Sequence, residues 1–138
     1  MADIPVPLAD MSTDISQADT TGSVRAYLKI TYKTKGITPE EYLLTNVSGN
    51  YSILDHQVRV TGAKISYGCN GFFPSYVSNQ MATDISVSNP FDKRTGFSKY
   101  VIEDFSSTIG CYYTLDLARG TSNKWKFTIE NYISGSLT

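Results

Sequence analysis

From Val24 onward the chain alternates. Val24, Ala26, Leu28, Ile30 and Tyr32 are separated by Arg25, Tyr27, Lys29, Thr31 and Lys33. A period of two is the spacing of a half-buried strand, with one face to the core and the other to water. Shorter alternations predict further strands over Tyr42–Val47, Tyr51–Leu54, Gln57–Val60, Ala63–Cys69, Asp84–Ser88, Lys99–Phe105, Cys111–Leu117 and Lys124–Asn131. In the last of these Trp125, Phe127 and Ile129 face one way. Lys35-Gly36, Ser48-Gly49-Asn50, Asp55-His56, Thr61-Gly62, Asn70-Gly71 and the loop Ala118–Asn123 punctuate the strands. Thr38-Pro39-Glu40-Glu41 can start one helical turn, with Thr38 as N-cap and Pro39 in the first position. Short strands at this spacing, with little helix, predict an all-β fold: a single antiparallel β-sandwich of about eight short strands. Residues 1–22 carry Pro5, Pro7 and scattered Asp, Ser and Thr without a sustained period. They are expected to form a flexible or extended acidic arm, leaving 23–138 as the sandwich domain.

One stretch stands out, Asp84 to Tyr100. The alternation Ile85, Ser86, Val87, Ser88 runs into Asn89-Pro90, and Phe91, Phe97 and Tyr100 then surround Lys93-Arg94. Proline donates no ladder hydrogen bond, so Pro90 ends the strand or lies at a sheet edge. The expectation is a loop of aromatic rings and positive charge aimed by a strand. Phe72-Phe73-Pro74-Ser75-Tyr76 and Tyr112-Tyr113 add rings elsewhere, and of two adjacent tyrosines in a strand one must look outward.

Composition sharpens this picture. Ten tyrosines in 138 residues, six phenylalanines and one tryptophan suit a wet interface, where a ring with a polar tip is favoured, although Tyr is also a good strand former. The net charge of −1 is uneven. Asp3, Asp10, Asp14 and Asp19 precede Ser23 with no Lys or Arg among them, whereas the remainder is mildly cationic. A nucleic-acid binder shows a stronger basic patch, so none is expected as a partner. No run of about 18 apolar residues occurs. The N-terminus shows no basic and apolar leader, so secretion or release without a visible signal peptide is expected, with cytoplasmic storage as the alternative. Asn46-Val47-Ser48 and Asn50-Tyr51-Ser52 match a glycosylation sequon.

Catalytic chemistry finds little to build on. His56 is the sole imidazole and lies in a turn, and no GxSxG elbow, phosphate-binding glycine loop or DxDxDG calcium loop is present. Glu103 and Asp104 are adjacent, so in a strand they point to opposite faces rather than across one cleft. Cys69 and Cys111 lack CxxC or histidine-rich spacing, and a structural zinc site needs about four ligands. The two thiols are candidates for one disulfide or for two buried small hydrophobes. The sequence therefore predicts no enzyme, no metal and no cofactor.

Gly62-Ala63-Lys64-Ile65-Ser66-Tyr67, then Ile85-Ser86-Val87-Ser88-Asn89-Pro90-Phe91-Asp92, then Tyr100, resembles the central part of two groups of small β-sandwich membrane binders. These are the aegerolysins, including the small partners of binary insecticidal proteins, and the actinoporins. Asn89-Pro90-Phe91 with Lys99-Tyr100 looks like the former. Ser88, Pro90, Phe91 and Asp92 resemble the turn lining the actinoporin phosphocholine pocket. The chain departs from actinoporins at Lys93-Arg94-Thr95-Gly96, where they carry a dense Tyr/Trp run. Fungal lectins share the actinoporin sandwich, so the likeness also admits sugar binding.

The resulting expectation is a non-enzymatic protein that engages membrane lipid headgroups, as a component of a pore-forming or insecticidal toxin, with a second protein component or its own copies as further partners. Its site would comprise Tyr67, Ser88, Pro90, Phe91, Lys93, Arg94, Phe97, Tyr100, Tyr112 and Tyr113. The alternatives are a lectin that binds glycans through tyrosine rings with Asp92, Asn89 and Asn70 as acceptors, and a self-assembling coat subunit that exchanges its acidic arm.

Overall fold

The computed structural model describes residues 10–37, 40–73, 76–104 and 106–137, without the side chains of residues 72, 73 and 76–78. The expected helical turn at Thr38-Pro39 and the first nine residues of the arm lie outside the described residues. Among those described there are nine strands and no helix: β1 (Met11–Ala18), β2 (Val24–Lys35), β3 (Glu41–Ile53), β4 (Val58–Phe73), β5 (Tyr76–Ser86), β6 (Phe91–Arg94), β7 (Val101–Ile102), β8 (Thr108–Arg119) and β9 (Asn123–Ser134). They form two antiparallel sheets, one ordered β1-β2-β3-β6 with β7 also on β3, the other β5-β4-β8-β9. The all-β, two-sheet expectation is met.

The period-two pattern does the folding. Val24, Ala26, Leu28 and Ile30 of β2 point inward, as do Ile65, Tyr67 and Cys69 of β4 and Ile109, Cys111, Tyr113, Leu115 and Leu117 of β8, all buried. Each of the Val, Leu and Ile side chains among them contributes about 1.5–3 kcal/mol on leaving water, before the entropy of ordering it is subtracted.

Three expected breaks are absent because the glycines there serve packing. Ser48-Gly49-Asn50 does not end a strand: β3 runs on to Ile53. A Cβ on Gly49 would lie 2.9 Å from the Phe91 ring and collide with the Tyr27 carbonyl oxygen, so the bare backbone is what lets β6 and β2 close on β3. Thr61-Gly62 is a bulge, where the register of β4 against β8 shifts between Val60 and Gly62. Asn70-Gly71 also continues β4, with Gly71 at a positive φ.

Residues 11–18, expected within an arm ahead of the domain, pair with β2 in unbroken register from Met11↔Tyr32 to Ala18↔Arg25. Two ties to the second sheet hold them. Asp19, in the turn after β1, accepts from the Ser23 and Val24 amides at 2.8 and 3.0 Å and from Trp125 Nε1 at 3.2 Å. Asn131 Nδ2, on β9, donates to the carbonyls of Thr13 (2.7 Å) and Leu28 (3.0 Å).

Candidate functional site

The proline turn is not an aromatic surface. The Asn89 side chain accepts from the Tyr51 amide at 2.9 Å and donates to its carbonyl at 3.1 Å, so it prolongs the β3–β6 ladder instead of facing a ligand. Ser88 Oγ donates to the Pro90 carbonyl at 2.8 Å. Ser88 and Pro90 are exposed, but Phe91 opposes Gly49 in the register and turns inward. Its ring meets Tyr113 edge-on, 5.0 Å between centroids, and both are buried. Burial, with Tyr51 nearby, pushes the Tyr113 hydroxyl pKa up, and that hydroxyl has no hydrogen-bond partner among the described residues.

The other expected rings scatter. Tyr67 is buried against half-buried Phe97 at 5.6 Å. Tyr112, half-buried, stands on the outer face of the second sheet, opposite Ser66 and Glu130. Tyr100 packs under Lys35 Nζ, 4.3 Å from its centroid. Lys93 is half-buried on the inward side of β6, whereas Arg94 is exposed on the outward side. The ten expected residues therefore do not form one surface. The reason is that β6 is a strand, and strand alternation sends Phe91 to the core.

Cys69 and Cys111 are free and buried, which corrects the disulfide alternative. They lie on neighbouring strands but out of register, Cys69 opposite Ile109 and Cys111 opposite Tyr67. Burial pushes the Cys69 thiol up to about 11 and raises that of Cys111 as well. His56 is exposed in the β3–β4 turn and makes no hydrogen bond among the described residues. Beside it Asp55 pairs with Arg119 at 2.6 Å.

Among the described residues, two further regions present groups that a ligand could meet. The first is one end of the sandwich. Cys69 Sγ donates to the Tyr42 carbonyl at 3.6 Å, which brings the far half of β4 to the end where β3 begins. The β2–β3 connection there carries Ile37, 94% exposed. The β4–β5 hairpin closes at the same end with Phe73 opposite Tyr76, and Phe72 precedes them. Lys35 and Tyr100 are adjacent, and Gln80 Oε1 fixes the backbone of Ser98 and Lys99 at 3.0 Å each. The end is not purely cationic: the Tyr42 hydroxyl donates to Glu40 at 3.0 Å, and burial followed by the Glu40 and Glu103 carboxylates raises its pKa. The sequence signal for Ile37 was an aliphatic residue between Gly36 and Thr38-Pro39, where no period requires one.

The second region is the outer face of the first sheet. Its register sets Asp14, Lys29, Ser48 and Asp92 in one row across β1, β2, β3 and β6, and Ser16, Tyr27 and Asn50 in the next. A groove of about 540 Å³ lies over these two rows, and a neighbouring one of about 690 Å³, sharing Asp92, lies over Thr31, Lys33, Asn46 and Arg94. Of the lectin acceptors, Asp92 alone is presented here; Asn89 is committed to Tyr51, and Asn70 Oδ1 is buried. Tyr27 was visible in the sequence as the one ring on the polar side of the β2 alternation.

The chain matches no family model, no curated protein and no solved structure.

Proposed function

We propose that this is a non-enzymatic protein that docks on membrane lipid, end-on, through the loop end that carries Ile37. The observation behind this reading is the exposure of Ile37, 94%, well above that of Leu54 in the β3–β4 turn, which at 56% is the next most exposed described aliphatic. An isoleucine left in water forgoes about 1.5–3 kcal/mol, which insertion below the headgroups recovers. The aromatic residues at the β4–β5 tip, by their place in the register, extend the same end. The likeness to aegerolysins and actinoporins agrees with the class of partner, whereas the contact proposed lies at this end and not at the proline turn that carries the likeness, because Phe91 there is buried.

Lys35 and Lys99 lie at the same end as Glu40 and Glu103, so apolar insertion rather than charge carries the affinity. Binding to zwitterionic vesicles should accordingly change little with salt. Flotation with phosphatidylcholine vesicles tests this. Ile37→Asp should weaken binding about tenfold or more while leaving the thermal midpoint unchanged, because the side chain packs on almost nothing. Equal flotation of wild type and variant, or flotation of neither, rejects the reading.

A further inference from the structure

Both sheets carry polar groups on their outer faces. On the second sheet several of them pair. Thr114 and Thr128 share a hydrogen bond at 2.9 Å, Lys126 pairs with Asp116 at 3.5 Å, and the Tyr132 hydroxyl accepts from the Leu137 amide at 3.0 Å. On the first sheet Asp14 and Lys29 stand directly opposite each other without an ion pair, and the side chains of Tyr27, Ser48 and Asn50 have no hydrogen-bond partner among the described residues. Asp92 accepts from Asn46 Nδ2 at 2.6 Å through one oxygen, and its other oxygen is unengaged.

These groups line a groove of about 540 Å³, within the roughly 300–1,000 Å³ range of small-ligand sites. Tyr27, 38% exposed, supplies an apolar plate, flanked by Pro90 and by edges of Ile15, Leu28 and Phe91, and the polar lining is hydroxyl, amide, ammonium and carboxylate. One ring amid hydrogen-bonding groups complements a ligand with an apolar face and a rim of hydroxyls. Insertion into lipid would bury the charges of Asp14, Lys29 and Asp92 along with the ring, a cost that a hydroxyl-rich ligand avoids. Charge narrows the class further: the two grooves are lined by Asp10, Asp14 and Asp92 against Lys29, Lys33 and Arg94, with Arg25 at their edge bonded to Ser16, so the face lacks the dense basic patch that draws a polyanion. Four strands at about 4.8 Å spacing set Asp14 and Asp92 about 14 Å apart, which spans more than one sugar ring.

We infer that the outer face of β1, β2, β3 and β6 is a binding site for an uncharged oligosaccharide. Tyr27 stacks on the apolar face of one sugar. Asp14 and Asp92 accept hydrogen bonds from hydroxyls of different sugar units, Lys29 donates to a ring or hydroxyl oxygen, and Ser48 and Asn50 do either. This site is separate from the loop end and stands whether or not the protein binds lipid.

The experiment is an amide-shift titration of the full chain with maltotetraose, cellotetraose, chitotetraose and mannotetraose, with tetragalacturonate as the acidic comparison. One neutral tetrasaccharide should move the amides of residues 14–16, 27–29, 48–50 and 92, and Tyr27→Ala should weaken it about tenfold. Tyr27→Phe should keep most of the affinity, and both variants should melt with the wild type. The inference is overturned if none of the four neutral sugars moves this face, if tetragalacturonate binds more tightly than all of them, or if Tyr27→Ala binds as well as wild type.

Discussion

Replacing Phe91 by alanine separates a core ring from a surface ring. Phe91 is 7% exposed, lies under Gly49 and meets Tyr113 edge-on at 5.0 Å. Truncating a buried phenylalanine costs about 3–5 kcal/mol, of which an aromatic pair of this geometry accounts for about 0.5–1.5. β6 is a four-residue strand at a sheet edge, so partial collapse is easy and the lower figure, about 3 kcal/mol, is expected. At 0.05–0.15 kcal/mol per residue a chain of this size has about 7–20 kcal/mol in total, so the variant should still fold. With a urea slope of about 2 kcal/mol/M, its midpoint should fall by about 1.5 M. Trp125, the only tryptophan, reports on both sheets through Asp19 and gives a fluorescence signal for the melt. Met81→Ala, at a side chain 54% exposed, should stay within about 0.5 kcal/mol of wild type and serves as the control. A loss below about 1 kcal/mol for Phe91→Ala would show that the ring is peripheral and that β6 does not turn it into the core.

Acid should destabilise the fold over a definable range. Burial raises the Asp19 carboxyl pKa, but hydrogen bonds from Thr21, Val24, Ser23 and Trp125 outweigh it, leaving the value below 3.8; Asp55 and Asp104 are lowered too, mainly by hydrogen bonds from Gln57 and Arg119 and from Ser106. A lowered folded-state pKa means that the unfolded chain takes up protons first. The stabilisation is therefore whole at neutral pH and is lost as the pH falls from near 3.8 through the folded-state values. Urea midpoints that stay level across this range would contradict it, and Asp19→Asn should flatten part of the slope. The thiols give a second check: both should react with Ellman's reagent in guanidinium without prior reduction, and neither in the native protein at neutral pH, since burial keeps them protonated. A native chain that shows no thiol until it is reduced would restore the disulfide.

What could be read from the chain alone was whatever alternation between core and water enforces. β2 and β9 were visible because each pairs a strongly apolar face with a charged one, Leu28 beside Lys29 and Phe127 beside Lys126. β3 and β4 were read as fragments because glycine marks both turns and tight packing, and the need for Gly49 comes from Phe91, distant in sequence. β1 was invisible for another reason. Its eight residues turn only Ile15 toward the core among large aliphatics, and what fixes it are Asp19 and Asn131, bonded to groups that no local pattern predicts. The same limit misplaced the site. Phe91 looks like a loop residue until β6 is seen to pair with β3, whereas Tyr27 and Ile37 gain meaning only from which faces and ends the topology leaves open.

Asn131 sits at the seam where the first strand would peel away. Its amide, 2% exposed, gives one hydrogen to each of two neighbouring strands, β1 through Thr13 and β2 through Leu28. Lifting β1 off strands half of that donor in a dry place, a penalty of about 1–3 kcal/mol added to the broken ladder. Lending the strand to another copy therefore repays its cost only if the borrowed strand lands on the recipient's own Asn131. Assembly by swapping, where it occurs, must be reciprocal and in register, and a shortened chain lacking β1 should look for a replacement strand to fill the same notch.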